Sequence, residues 1–167
     1  MNGEHSLKNK GIYILTGAVG SGKTTFIFNW LKDHPFSGGI ITLTRQNCRV
    51  LYDVIGKEEI NFETPPDEKA ETVNIGRYKF YKSAFERAEE IIENTDFVKT
   101  GCFVLDEAGP LELRGEGFDK AVKKLIEINR EYGTTLVFIV RENCVKDFIN
   151  KYALVDPFVR TKENFSL

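Results

Sequence analysis

Gly17-Ala18-Val19-Gly20-Ser21-Gly22-Lys23-Thr24 is the stretch that decides how this chain folds. It fits G-x-x-x-x-G-K-[ST], and at average composition four such fixed positions coincide by chance roughly once in several tens of thousands of sites. The flanks agree with the pattern. Gly11-Ile12-Tyr13-Ile14-Leu15-Thr16 reads as one buried strand, and Thr25-Phe26-Ile27-Phe28-Asn29-Trp30-Leu31-Lys32 places apolar residues at helical spacing. Strand, glycine loop and helix together make a phosphate-binding loop. Glycines at 17, 20 and 22 let the backbone reach positive φ, so that N–H groups point inward at phosphate oxygens. The helix beginning near Lys23 adds its positive dipole end. Lys23 is expected to reach the β- and γ-phosphates, and the Thr24 hydroxyl to ligate Mg²⁺.

Composition narrows the rest. The 167 residues, 41% of them apolar, suit one domain with a real core over residues 1–167. A net charge of −2 argues against a basic nucleic-acid surface. No apolar run approaches bilayer length, and residues 1–10 are polar, lack the apolar stretch of a secretory signal and are expected to fray. Cys48, Cys102 and Cys144 are widely spaced and free of C-x-x-C pairs. They read as reduced, small hydrophobes of a cytoplasmic protein. His5 and His34 read as surface residues.

Further along, Gly39–Thr44 is a second apolar strand following a break at Pro35, Gly38 and Gly39. Residues 48–81 differ in texture, with short strand candidates at Arg49–Ile55 and Glu59–Glu63, a solvated loop at Thr64–Lys69, and a strand or hairpin around Gly76. They read as a small β-rich insertion at the edge of the main sheet. Helical periodicity returns over Ser83–Asn94 and Phe118–Tyr132 and near Val145–Tyr152. Buried strands are expected at Gly101–Leu105 and Thr134–Val140, with a last short one around Phe158–Arg160. Strands alternating with helices imply an α/β fold with a mainly parallel central sheet flanked by helices. Phe26, Phe28, Trp30, Phe80, Tyr81, Phe85 and Phe103 read as core aromatics, and Lys120, Lys123 and Lys124 as a solvated helix face.

Asp106-Glu107 directly follows the Cys102–Leu105 run, which puts both acids at the carboxyl edge of the sheet, where open α/β folds bind ligands. Asp106 is the candidate metal partner of Thr24, and Glu107 the candidate that orients the attacking water and takes its proton. A transferring phosphoryl group is commonly stabilised by an arginine. Arg141 follows the fourth strand at the same edge and is the leading candidate. Arg114, between Leu113 and Gly115, and Arg45, near the end of the second strand, stand behind it.

Asp106-Glu107-Ala108-Gly109-Pro110-Leu111-Glu112-Leu113 resembles the Walker B region of a family of small P-loop nucleoside-triphosphatases, which includes hyperthermophile members and the human cancer-related nucleoside-triphosphatase. The likeness extends to Gly17–Thr25, to Ile75-Gly76-Arg77-Tyr78, and to Arg49-Val50-Leu51-Tyr52-Asp53, where Leu51 stands in place of the family's glycine. Residues 45–70 depart from the pattern and lack the family's glycine-rich strand pair. The resemblance implies a RecA-like P-loop fold and Mg²⁺-dependent hydrolysis of ATP, GTP and other nucleoside triphosphates to diphosphate and phosphate. It would make Gly17, Ala18, Val19, Gly20, Ser21, Gly22, Lys23, Thr24 and Thr25 the nucleotide-binding residues. Thr24 and Asp106 would be the metal ligands, and Glu107 the general base. Glu112 matches the family's second acidic position without an evident role.

The same loop also serves nucleoside and nucleotide kinases, which need an acceptor pocket and an arginine-bearing lid. Only the 110–118 loop and the 56–79 segment offer one. A nucleotide-dependent switch or accessory protein with slow turnover is the third reading, with the 109–117 loop as the element that changes shape. No Asn-Lys-x-Asp guanine reader occurs. The chain is expected to act as a monomer, with a protein partner left open.

Overall fold

The structure, a computed structural model, describes residues 11–167; the expectation for residues 1–10 lies outside them. Strand β1 (Ile12–Leu15) leads through the glycine loop into helix α1 (Lys23–Lys32). Strands β2 (Ser37–Arg45), β3 (Cys48–Asp53) and β4 (Glu58–Asn61) follow, then β5 (Thr72–Ile75), β6 (Tyr78–Tyr81) and α2 (Lys82–Asn94). The second half runs β7 (Cys102–Ala108), α3 (Pro110–Leu113), α4 (Asp119–Tyr132), β8 (Thr135–Val140), a 3₁₀ turn at Glu142–Cys144, α5 (Val145–Lys151) and β9 (Phe158–Arg160). Seven strands form one sheet in the order β4-β3-β2-β7-β8-β1-β9. The five from β2 to β9 are parallel, whereas β3 and β4 continue the sheet antiparallel to β2. The expected α/β architecture is what the chain adopts.

Alternation along the central strands explains why helices cover both faces. In β8 every residue is buried, and Leu136, Phe138 and Val140 face one core while Val137 and Ile139 face the other. The larger core receives α2, α4 and α5 through Ala84, Phe85, Ala88, Ile91, Ile92, Leu125 and Phe148. The smaller one receives α1 through Ile27 and Leu31, with Phe26, Phe28, Trp30, Phe165 and Leu167 half-buried around them. Phe26, Phe28, Trp30 and Tyr81 are therefore less enclosed than expected, whereas Phe80, Phe85 and Phe103 are core residues. His34 is half-buried at the surface: its ring stacks on Trp30 with centroids 3.7 Å apart, and its Nδ1 lies 2.7 Å from the Trp30 carbonyl. All three cysteines are free; Cys102 and Cys144 are buried, and Cys48 is exposed. Burial pushes the Cys102 thiol up to about 12, which keeps it protonated and inert.

Element boundaries move for local reasons. β2 begins two residues before Gly39 because the expected glycine break is part of the strand. A Cβ on Gly39 would lie 2.7 Å from the Val104 carbonyl oxygen of β7, so only glycine permits this approach. β3 ends at Asp53, whose Oδ1 accepts the Ile55 N–H at 3.0 Å and turns the chain before residues 54 and 55 can extend it. Gln46 and Asn47 both take positive φ, forming the two-residue hairpin between Arg45 and Cys48. β5 and β6 form a separate ribbon turning at Gly76-Arg77, tied back by a Glu63–Phe80 bridge. No helix among the described residues is long and apolar enough to cross a membrane.

Candidate active site

Parallel strands bring like ends together, so the carboxyl ends of β1, β2, β7 and β8 meet at one edge of the sheet. There the glycine loop, Thr42, Asp106, Glu107 and Arg141 line one cavity of about 590 Å³, large enough for a nucleotide. The loop glycines reach positive φ as expected, at 138°, 74° and 83° for Gly17, Gly20 and Gly22. The Lys23 ammonium arches back over the loop and donates to the Gly17 and Ala18 carbonyls, each at 2.8 Å. From outside, Lys162 donates to the Ser21 carbonyl at 2.6 Å. Val19 is exposed at the loop tip and Thr25 on the first helical turn, both on the cavity wall.

Across the cavity, the Thr24 hydroxyl donates to Asp106 Oδ2 at 2.8 Å. The Thr42 N–H donates to the same oxygen at 3.3 Å, and the Thr42 hydroxyl to the Asp106 carbonyl at 3.0 Å. Two hard oxygen donors on opposite elements suit Mg²⁺, which takes one or two protein ligands and completes its shell with phosphate oxygens and water. No group of three or more His, Cys, Asp or Glu able to hold a metal occurs among the described residues.

Asp106 is 1% exposed, and its carboxyl is pushed up to about 7. Burial is the main cause and the Glu107 charge adds to it, while the Thr24 and Thr42 hydrogen bonds pull the other way. A folded-state value above the unfolded one means that the folded chain holds the extra proton in this window. This group's contribution to stability therefore falls as pH rises from about 4 to about 7, and the full penalty persists above that. Asp106→Asn removes the penalty. In a metal-free thermal unfolding series, the variant should exceed the parent by roughly 1–3 kcal/mol at about pH 8, with the gap closing toward about pH 4. A gap that does not vary with pH would refute the assignment.

Glu107 lies at a β-bulge. Asp106 pairs with Ile139 and Ala108 with Val140, which leaves Glu107 as the extra residue, half-buried on the cavity wall. Its Oε1 accepts from Arg141 Nε at 2.9 Å. Lys23, Thr24, Asp106, Glu107 and Arg141 are thus brought together. Arg45 reaches the rim of the same cavity while paired with Glu59 at 2.8 Å. Arg114 does not line it and pairs instead with Glu116 at 3.2 Å.

Glu112 has a structural task that its sequence position did not disclose. The residue is 2% exposed, and its carboxylate accepts the Gly109 N–H at 2.6 Å and the Phe118 N–H at 2.9 Å. It thereby closes the loop between β7 and α4. Burial raises its pKa against the pull of these two bonds. Gly117 makes room: its φ is 60°, and a Cβ there would sit 2.6 Å from Glu112 Oε1. The Glu112 carbonyl in turn accepts from Lys151, which pairs with Asp119 at 2.8 Å, and Asp119 accepts from Tyr152 at 2.8 Å. Glu112→Ala would strand two buried donors, so denaturant unfolding should show a loss of roughly 2–4 kcal/mol, with Glu112→Gln losing less. Equal, negligible losses would contradict this account.

Thr42, Phe28 and Arg49 also line the cavity without having been candidates. Phe28 read as packing. Arg49 is held by rings from a segment almost thirty residues on, a relation that no local spacing encodes.

A family model described as NTPase matches residues 12–164. Nucleoside-triphosphatase THEP1 of Methanopyrus kandleri is 30% identical over 135 residues, covering 77% of this chain and 72% of that protein. No solved structure matches significantly.

Proposed function

Since this chain belongs to the NTPase family, we propose that it hydrolyses nucleoside 5′-triphosphates, ATP and GTP alike, to diphosphate and phosphate with magnesium, using Glu107 to activate water. The observation that carries the reading is the Thr24–Asp106 hydrogen bond across a cavity that also contains the glycine loop and Glu107. Loop N–H groups and Lys23 bind and orient the phosphate tail. Thr24 and Asp106 would hold a magnesium ion, which would supply positive charge to the phosphate tail. Glu107, kept in place by Arg141, takes the proton of the attacking water as its oxygen bonds to the γ-phosphorus and the bond to the bridging oxygen breaks. Glu112 holds the loop from Gly109 to Phe118 beside this edge.

The test is phosphate release from ATP, GTP, CTP and UTP, with and without magnesium, and with nucleosides and monophosphates as potential acceptors. Magnesium-dependent release without acceptor, at similar rates for all four, is expected. Release that appears only as an acceptor becomes phosphorylated would replace this reading with a kinase.

A further inference from the structure

Three arginines line the nucleotide cavity, and two of them are neutralised. Arg45 is paired with Glu59 and Arg141 with Glu107. The third, Arg49 on β3, is different. Its guanidinium carbon lies 4.7 Å from the centre of the Tyr78 ring and 5.8 Å from that of Phe80, both on β6. The nearby Glu63 carboxylate receives the main-chain N–H of Arg49, at 3.3 Å. Among the described residues, the guanidinium N–H groups meet no acceptor. This half-buried cation is thus fixed in direction by aromatic faces, with its donors left available.

Its position matters as much as its freedom. A small second cavity adjoins the first, and Thr42, Arg49, Glu107 and Arg141 form the wall common to both. Arg49 therefore shares a surface with the acid proposed to activate water.

From this we infer that Arg49 is a catalytic residue, donating to the γ-phosphoryl oxygens as charge develops on them. The inference rests on the hydrolytic reading above. An arginine supplied from the same chain stabilises that charge only if it is not already spent on a carboxylate, and Arg49 is the cavity arginine that meets this condition. Tyr78 and Phe80 act through it. The β5–β6 ribbon, which otherwise contributes nothing to the main sheet, is the device that aims it.

The experiment compares Arg49→Ala and Arg49→Lys with the parent chain, each first checked by circular dichroism and thermal unfolding. Two affinities are measured by calorimetry with magnesium present: one for a nonhydrolysable triphosphate, the other for ADP with aluminium fluoride, which imitates the phosphoryl group in transit. Turnover of both variants should fall about 10²–10³-fold. Affinity for the aluminium fluoride complex should fall comparably, while that for the triphosphate analogue changes by no more than about fivefold. The lysine variant keeps the stem and the charge but not the planar fork, so it should fail as well and decides the matter if the alanine variant misfolds. Free guanidinium added to Arg49→Ala should restore part of the lost turnover. Unchanged aluminium fluoride affinity, or an equal fall for both ligands, would overturn the role of Arg49 while leaving hydrolysis intact. A parent chain that neither releases phosphate nor forms the complex would overturn both.

Discussion

Lys23→Ala is expected to weaken binding of magnesium–ATP by about two to three orders of magnitude. The ammonium is held over the loop by the Gly17 and Ala18 carbonyls, each at 2.8 Å, and is placed to meet a phosphate tail as a charge-assisted donor. Removing one partner of a desolvated, hydrogen-bonded charge pair costs about 2–5 kcal/mol, most of it appearing in the dissociation rate. A second effect has the same sign. Without the ammonium, two loop carbonyls lose their donor, and the cradle must be organised by the ligand itself. Calorimetry of the metal–nucleotide complex against parent and variant measures the sum. Parent-like affinity in the variant would remove the glycine loop from the binding account.

Glu107→Gln should leave that affinity within about fivefold and reduce turnover by roughly 10²–10⁴-fold. The amide is isosteric, and its oxygen can still accept the Arg141 Nε–H that now reaches Oε1 at 2.9 Å, so the wall of the site keeps its shape. What the amide cannot do is take a proton from water. Single-turnover phosphate release gives the chemical step, and equilibrium titration with the same nucleotide gives binding. If both fall together, Glu107 holds the ligand instead of activating water. If neither falls, another group is the base.

Much of the candidate site could be read along the chain, because the proposed chemistry depends on residues close together in sequence. The glycine loop lies between one strand and one helix, and the acid pair ends another strand. Periodicity located every helix longer than six residues and each strand of the central sheet, since burial on both faces leaves nearly continuous apolar runs such as Leu136–Val140. What escaped depends on distant residues. Glu112 reads as one more acid until the fold places the Gly109 and Phe118 N–H groups around it. Arg141 and Glu107 are 34 residues apart, and their pairing exists only because β7 and β8 are neighbours. Arg114 lies away from the cavity for the converse reason: its loop closes on Glu112 and leaves Arg114 outside, beside Glu116. β7 also runs on through Asp106 and Glu107 to Ala108, where local hydrophobicity had suggested an end. Two acids persist in the strand there because Asp106, though buried, meets the Thr24 hydroxyl and the Thr42 N–H, and Glu107 lies on the cavity wall.

The chain has a single tryptophan. That residue, Trp30, lies on the helix that begins at Lys23, stacked on the His34 ring and nearly perpendicular to the Phe165 ring. Fluorescence excited beyond the absorption of the six tyrosines therefore originates from one place, two turns beyond the glycine loop and on the thinner side of the sheet. Optical titrations with that excitation accordingly need no label and report on the layer that carries the glycine loop.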